Sequence, residues 1–588
     1  MKGSEIRQRF LDFFAERGHA VVPSSSLLPD DPSVLLTTAG MQQFKPYYTG
    51  AADAMRDFKS LNTASSQKCF RTSDIDEVGD DTHLTFFEML GNFSFGGYLK
   101  EGAIKLAHEF ITKELGLEIS YVTIFEGSHG VPKDEESRVV WQSLGVKDIR
   151  EEGIDDVFWG PTGTSGPCGP TTEIYCTNAN GKDIEVWNLV FNQFFYAGSR
   201  EELLAQVPGK SFEPLKTAGV DTGMGLERLV MIAQKKRNLF ETDLFAPFLE
   251  LLPPMLDERT RRVMVDHIRG SAFLIADGVR PSNKESGYIL RRLMRRVFAY
   301  EELYKIPIHV VDALVHDIVH EYGETYKDLG AKADMVRSEV TAERERFLRT
   351  LKSGIKEIEK LSVIDATVAF NLYQSFGISY EIIKDVAKEK AVGLAREAFE
   401  AELARHQEKS RQGAEKKFGG HGLILDTGEL KAKDEEELKK VTRLHSATHL
   451  LQAALRKVLG DEVHQMGSDI TVERTRFDFA FGRKVTPDEL KKVEDLVNGA
   501  IEKDYTVTKK LMPFDDAVKT GALYFFKEKY PAEVNVYTFG TPDESEVFSR
   551  EFCGGPHVTH TREIGKLRIL KEEASSAGVR RIRATIEP

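Results

Sequence analysis

Cysteine is scarce: four in 588 residues, at 69, 168, 176 and 553, with no CxxC pair. That count excludes a disulfide framework and fits a reducing compartment. No apolar run reaches the roughly 18 residues that a membrane helix needs, so no transmembrane span is expected. The N-terminal stretch MKGSEIRQRF is charged and helical in pattern, without the apolar core of a signal peptide. A cytoplasmic protein with no membrane contact is the expectation. Net positive charge is also missing. The formal net charge of −13 is the opposite of a nucleic-acid coat, although local patches, not totals, set the field that a phosphate meets.

What is present suffices for roughly three or four domains and a large core. Residues 66–100 carry the densest chemistry. Residues 68–72 read as a short strand, 73–81 as a polar turn and 84–90 as an apolar return strand. Such a hairpin holds Arg71 near Phe86 and Phe87: a rigid fork for phosphate oxygens beside a flat face for a base. Taken alone, the pattern reads equally well as a surface Arg beside core phenylalanines. Residues 4–17 form an amphipathic helix, with Gly18 at the capping position. Residues 158–174 (FWGPTGTSGPCGPTTEI) hold four Gly and three Pro, which argues for a loop rather than a sheet interior. Residues 185–195 (EVWNLVFNQFF) read as a buried strand in which Asn188 must find partners. In VDTGMGLERL (220–229), a strand gives way to a helix. Arg228 falls in its first turn, where a cation opposes the dipole and calls for an anion. Residues 244–412 are helical in pattern, including a charged helix over 335–360 and an exposed connector over 388–417. The run Arg291, Arg292, Arg295 and Arg296 is by charge alone most simply a solvated face.

A second cluster lies near the end of the chain. His445 and His449 share one helix face, a turn apart. Far downstream, CGGPH (553–557) is a turn that brings Cys553 near His557. Alone, the first pair reads as two surface histidines. With the second pair, three His and one Cys suit a borderline-soft ion such as Zn²⁺.

The hairpin and FFEMLGNFSFG (86–96) resemble the second signature motif of class II aminoacyl-tRNA synthetases, as the alanyl-tRNA synthetase family carries it. TTAGMQQFKP (37–46) and VDTGMGLERL are similar to the first and third motifs. DHIR, ADGVRPSN and GYILRRLMRR within 261–296 resemble the family's tRNA-facing helices. HQMGSD (464–469), RFDF (476–479) and the His/Cys pairs resemble its editing domain. The resemblance implies an α+β multidomain protein: an antiparallel-sheet catalytic domain over 1–243, a helical tRNA-recognition domain over 244–420 and an α+β zinc-containing editing domain over 430–588. It implies ATP with Mg²⁺, L-alanine and tRNA(Ala) as partners, and one zinc per chain. It also implies hydrolysis of mischarged Ser-tRNA(Ala) and Gly-tRNA(Ala).

Carried over residue by residue, Arg71 and Arg228 clamp the triphosphate, and Phe86 or Phe87 packs on adenine. Trp159, Asn188, Val190, Asp221 and Gly223 form the alanine pocket. Thr448 and Gln465 line the editing pocket around His445, His449, Cys553 and His557. The four arginines of 291–296 contact the acceptor stem. Glu302 and Gln374 replace the Asn and Asp with which the family reads a G·U pair, which predicts an altered dependence on that pair. Further departures are Leu84 in a shortened hairpin tip, Thr171 for a cysteine and Arg562 for a glycine. The coiled coil and dimerising domain that usually follow have no counterpart here, so a monomer is expected. A tRNA-binding or deacylase-only relative is the alternative. Arg71, Asp221 and Arg228 speak against it.

Overall fold

The computed structural model describes residues 1–29, 34–161, 163–405, 434–524, 533–576 and 578–587. The chain divides into two compact units, Met1–Glu402 and Leu403–Pro588. The domain boundary expected between Gly420 and Glu435 falls almost wholly within 406–433, outside the described residues.

The first unit is built on a nine-stranded sheet. Its strands are β1 (Ala20–Val21), β2 (Asn62–Phe70), β3 (Phe86–Ser94), β4 (Tyr121–Phe125), β5 (Ile149–Glu152), β6 (Phe158–Trp159), β7 (Gly166–Thr177), β8 (Asp183–Tyr196) and β9 (Phe212–Gly225). The order is β1-β2-β3-β9-β8-β7-β4-β5, with β6 on β7. The central pairs are antiparallel, and β1–β2 and β4–β5 at the margins are parallel. Helix α1 (Gly3–Ala15) buries Ile6, Phe10, Phe13 and Phe14, with Phe10 edge-on to Phe110 and Trp187.

The Gly/Pro-rich segment is not the expected loop. Residues 166–174 belong to β7, between β8 and β4. A Cβ on Gly169 would come 1.9 Å from the Phe191 carbonyl oxygen; the glycine lets two strands approach more closely than any side chain permits. A register shift between Cys168 and Thr171 absorbs the irregularity.

The strands feed into helices: α2 (Leu226–Ala233), α3 (Glu258–Ala276), α4 (Glu285–Leu303), α5 (Ile308–Thr325), α6 (Ala333–Lys360), α7 (Ala366–Phe376) and α8 (Tyr380–Ala387). Helix α6 matches the charged helix read at 335–360. The connector begins differently: a tight turn, Lys388–Ala391, precedes a helix over 396–405, and 406–417 lie outside the described residues. Helix α3 is buried at every position from Val263 to Ala276, so its polar side chains need internal partners. Asp266 accepts from the Thr85 amide and hydroxyl at 2.9 and 2.7 Å. Arg269 donates to the Phe86 carbonyl at 2.9 Å and pairs with Glu227.

The basic run on α4 is likewise turned inward, which corrects the reading of it as a solvated face. Arg292 pairs with Asp76 and Glu381, Arg295 with Glu343, and Arg296, 2 % exposed, with Asp385. Arg291 reaches Glu343 and Asn283. Carboxylates distant in sequence meet each guanidinium, since a buried cation without a partner is strongly disfavoured.

The second unit holds α9 (Glu435–Leu459), β10 (Gln465–Ile470), β11 (Thr475–Ala480), α10 (Pro487–Glu502), β12 (Thr506–Pro513), β13 (Glu533–Gly540), β14 (Val547–Phe552), β15 (Lys566–Ser576) and β16 (Val579–Glu587). They form one sheet of order β10-β11-β16-β15 and another of order β12-β13-β14. Leu450 and Leu451 of α9 pack with Phe477, Phe479 and Ile582 in its core.

Candidate active site and metal centre

In the first unit, strands β3, β7, β8 and β9 and the hairpin tip wall a cavity of about 270 Å³. Eight of the expected residues line it: Arg71, Phe87, Trp159, Asn188, Val190, Asp221, Gly223 and Arg228. Strand alternation explains which phenylalanine belongs. Phe87 and Met89 face the cavity, and the Arg71 guanidinium lies 5.0 Å from the Phe87 ring. Phe86 points the other way and stacks on Phe273 at 4.0 Å between ring centres. It is core, not part of the cavity wall.

Arg71 stands one residue past β2, with its backbone N–H donating to the Thr85 carbonyl at 2.9 Å. Arg228, third in α2, meets the anion its position calls for within the protein: Nη1 donates to Glu185 Oε2 at 3.0 Å. Asp221 is buried, no cation lies against it among the described residues, and burial pushes its carboxyl up to about 8. Asn188 donates to Glu173 Oε1 at 2.8 Å, and its own buried carbonyl oxygen has no partner. A Cβ on Gly223 would lie 2.9 Å from Met89 Sδ, so residue 223 sets how deep the pocket is.

Sequence reading missed two carboxylates here. Glu173 accepts from Asn188 and from Tyr175 Oη at 2.9 Å. Burial, then the nearby Glu185 charge, pushes it up to about 8. Glu173 stands opposite Asn188 in the β7–β8 pair, whereas Glu185, three residues before Asn188, reaches the same side only through the register shift after Ile174, which alternation does not reveal. Asp74, Thr82 and His83 of the hairpin tip also line the cavity.

In the second unit, ligand atoms of His445, His449, Cys553 and His557 all lie within 4.8 Å of one another. The geometry suits a cation. His445 Nδ1 faces the Pro556 carbonyl at 3.1 Å, His449 Nδ1 faces Glu551 Oε2 at 2.5 Å, and His557 Nδ1 faces Ser446 Oγ at 3.1 Å. Ser446 Oγ already donates to the Thr442 carbonyl, so it accepts from His557. Each Nδ1 is thus occupied, which directs each Nε2 toward the cluster. His557 Nε2 is buried without a partner, and Cys553 Sγ lies 3.4 Å from His445 Nε2. Burial raises the Cys553 thiol, but the His449 charge and the polar contacts of the surrounding imidazoles outweigh it and bring it down to about 2.

Thr448, on α9 between the two histidines, bonds the Leu444 carbonyl and Thr475 Oγ1, both at 2.8 Å. Gln465 opens β10 and reaches Ser468 Oγ at 3.3 Å. In the first unit, Glu302 pairs with Lys305 and Lys352, and Gln374 lies on α7.

The sequence profile of the tRNA synthetases class II (A) matches residues 5–478, and that of the threonyl and alanyl tRNA synthetase second additional domain matches 534–583. The chain is therefore a class II tRNA synthetase with a second additional domain. Over its whole length the chain is 41 % identical to the alanine–tRNA ligase of Borrelia hermsii, also covered in full. It is 39 % identical to that of Treponema pallidum, with 98 % of the relative covered. For Rubrobacter xylanophilus the figures are 35 %, 99 % of this chain and 78 % of the relative. The chain belongs to the alanyl-tRNA synthetase family. No described helix is long and apolar enough to cross a membrane.

Proposed function

We propose that this chain joins L-alanine to tRNA(Ala) in two steps within the first unit. An alanine carboxylate oxygen attacks the α-phosphorus of ATP and pyrophosphate leaves. The terminal ribose hydroxyl of tRNA(Ala) then attacks the adenylate carbonyl, AMP leaves and the hydroxyl proton is released. Arg71 and Arg228 hold the phosphates, and Phe87 covers the adenine. Asp221 receives the alanine ammonium, Asn188 and Val190 bracket the amino acid, and Trp159 and Gly223 limit its side chain. This is catalysis by positioning and charge, with no covalent step on the protein. Glu173 and Glu185 would hold Mg²⁺, which would neutralise phosphate charge. The single observation that carries the reading is the common cavity of Asp221, Arg71 and Arg228: a buried carboxylate for an ammonium beside two cations for a triphosphate.

In the second unit, His445, His449, Cys553 and His557 would hold one Zn²⁺, and their Nδ1 partners fit that task. We place hydrolysis of Ser-tRNA(Ala) and Gly-tRNA(Ala) there, with Thr448 and Gln465 beside the misplaced aminoacyl group. The division into aminoacylation (1–243), tRNA recognition (244–420) and editing (430–588) completes the reading. The free cysteines at 69, 168, 176 and 553 support a reducing, cytoplasmic setting.

Alanine-dependent ATP–pyrophosphate exchange tests the cavity. Arg71→Ala is expected to lose about 2–4 kcal/mol of transition-state stabilisation. Exchange at near wild-type rates in that variant would refute the assignment of the nucleotide site.

A further inference from the structure

The hairpin tip that joins β2 to β3 has two faces. One lines the cavity with Asp74, Thr82, His83 and Leu84. The other is gripped by five arginines from the helices. Asp76 Oδ1 accepts from Arg292 Nη2 at 3.1 Å and from Arg396 Nη2 at 2.5 Å. The same two nitrogens donate to Glu381 Oε1, each at 2.6 Å. Arg296 and Arg259 reach the Ile75 and Asp76 carbonyls. Arg262 Nη1 reaches the Gly79 and Asp80 carbonyls at 3.2 and 3.0 Å and Asp81 Oδ1 at 3.1 Å. Gly79, at φ +112°, lies so close to Arg259 that a Cβ would come 2.5 Å from its Cγ.

Only Ile75 and Val78 of this turn are apolar and fully buried; its other side chains are polar or absent. Fixing each of its residues costs roughly 1–2 kcal/mol of backbone entropy. Besides the burial of Ile75 and Val78 and the Leu239 amide on the Asp81 carbonyl, the contacts that offset this cost come from arginines of α3, α4 and the helix over 396–405, with Glu381 of α8 holding two of them. Within the tip, Asp80 Oδ1 accepts from the Thr82 and His83 amides at 2.9 and 2.8 Å. Its Oδ2 lies 2.6 Å from His83 Nδ1. The tip is therefore one connected piece between the arginines and the cavity wall, and Arg71 stands at its root.

We propose that Asp76 is a positioning residue for ATP. Held by Arg292 and Arg396, it fixes the hairpin tip so that Arg71 and the His83 edge meet the nucleotide, and it makes ATP binding depend on the helical region. The inference rests on reading the cavity as the nucleotide site. It also gives the inward-turned Arg292 a task beyond helix packing: with Arg396 it braces the hairpin. The alanine end of the cavity is built differently. Asn188, Val190, Asp221 and Gly223 sit on β8 and β9 inside the sheet, which the clamp does not touch.

The test is steady-state ATP–pyrophosphate exchange on the full chain with Asp76→Asn, Arg396→Ala and the double variant. Both side chains are partly exposed, at 34 and 27 %, so both variants are expected to fold, which tryptophan fluorescence will check. Each single variant should raise KM for ATP about five- to tenfold, with KM for alanine within about twofold of wild type. The double variant should fall short of the product of the singles, because both substitutions break the shared Asp76–Arg396 contact. An unchanged KM for ATP in both singles overturns the proposal. So does a parallel rise in KM for alanine, or effects that multiply in the double variant. Arg71→Ala separates the two levels. If it leaves exchange intact, the nucleotide site itself is misplaced. If it abolishes exchange while Asp76→Asn leaves KM for ATP unchanged, only the clamp is wrong.

Discussion

Asp221 and Glu551 illustrate what single side chains contribute. Asp221 keeps its proton up to about 8 because burial penalises the charge and, among the described residues, no cation offsets it. An alanine ammonium against it would stabilise the ionised form. Binding then releases a proton below that pH, so alanine affinity rises as the pH rises toward 8. KM for alanine should fall by up to about tenfold per pH unit in that range. Glu173, in the same cavity and also pushed up to about 8, requires a control. Asp221→Asn should bind alanine weakly with a flat profile. A wild-type KM for alanine that stays level between about pH 6 and 8 would remove Asp221 from the ammonium site.

Glu551 was not legible as a functional residue, yet its position is simple to explain. It precedes Cys553 by two, so alternation carries its carboxylate to the same face as the thiolate, against α9. It is 2 % exposed, contacts His449 Nδ1 at 2.5 Å and accepts from Ser549 Oγ at 2.9 Å. A carboxylate there fixes the imidazole tautomer and raises its basicity. Glu551→Gln should weaken zinc binding by roughly 10–100-fold, read by chelator competition on the purified protein. Equal retention of zinc by the variant and the wild type would leave Glu551 with packing alone.

Among the elements, α3 shows how much was readable and why some was not. The hairpin, the two strands with their motifs and α9 follow from hydrophobic period and punctuation, because their partners are near in sequence or repeat regularly. Helix α3 reads as a tRNA-facing segment only by resemblance. In the structure, its Asp266 and Arg269 point at Thr85, Phe86 and Glu227 behind the cavity. The strand β7 was misread because Gly and Pro usually break strands, and nothing local announces that Gly169 faces the Phe191 carbonyl. The arginines of α4 were misread for a related reason. Their carboxylates come from residues 76, 343, 381 and 385, and charge in one stretch does not reveal them.

Arg269 makes a quantitative case at this scale. Its side chain is fully buried, with Glu227 2 % exposed beside it, and it lies 4.7–5.0 Å from the rings of Phe86, Phe245 and Tyr322. Arg269→Met would leave the buried Glu227 carboxylate with the Glu88 amide but without its cation. Removing one member of a buried pair costs about 3–5 kcal/mol. All three tryptophans, Trp141, Trp159 and Trp187, lie in the first unit, so their fluorescence reports its unfolding in urea. The midpoint should move down accordingly. A shift of less than about 1 kcal/mol would mean that the pair merely replaces an apolar contact.

For the whole molecule, the two units carry two chemistries on two separate cores. On the proposed reading, the first joins carboxylate to phosphorus in a cavity walled by the sheet. The second gathers three imidazoles and a thiolate between α9 and the segment after β14, where the four side chains link residues more than a hundred positions apart. Such a link joins folding to metal binding, because the ligands come together only in the folded state. Chelating the metal should therefore loosen α9 and residues 553–557, seen as faster amide hydrogen exchange there, and abolish Ser-tRNA(Ala) hydrolysis. The tryptophans and the adenylation residues all belong to the first unit, with its own hydrophobic core. The urea transition followed by tryptophan fluorescence and alanine-dependent pyrophosphate exchange should both stay at wild-type values. Cys553→Ala should reproduce the pattern without a chelator. Loss of exchange activity together with editing would show that the metal supports the whole chain, and unchanged hydrogen exchange in α9 would show that the four side chains hold no metal that matters to folding.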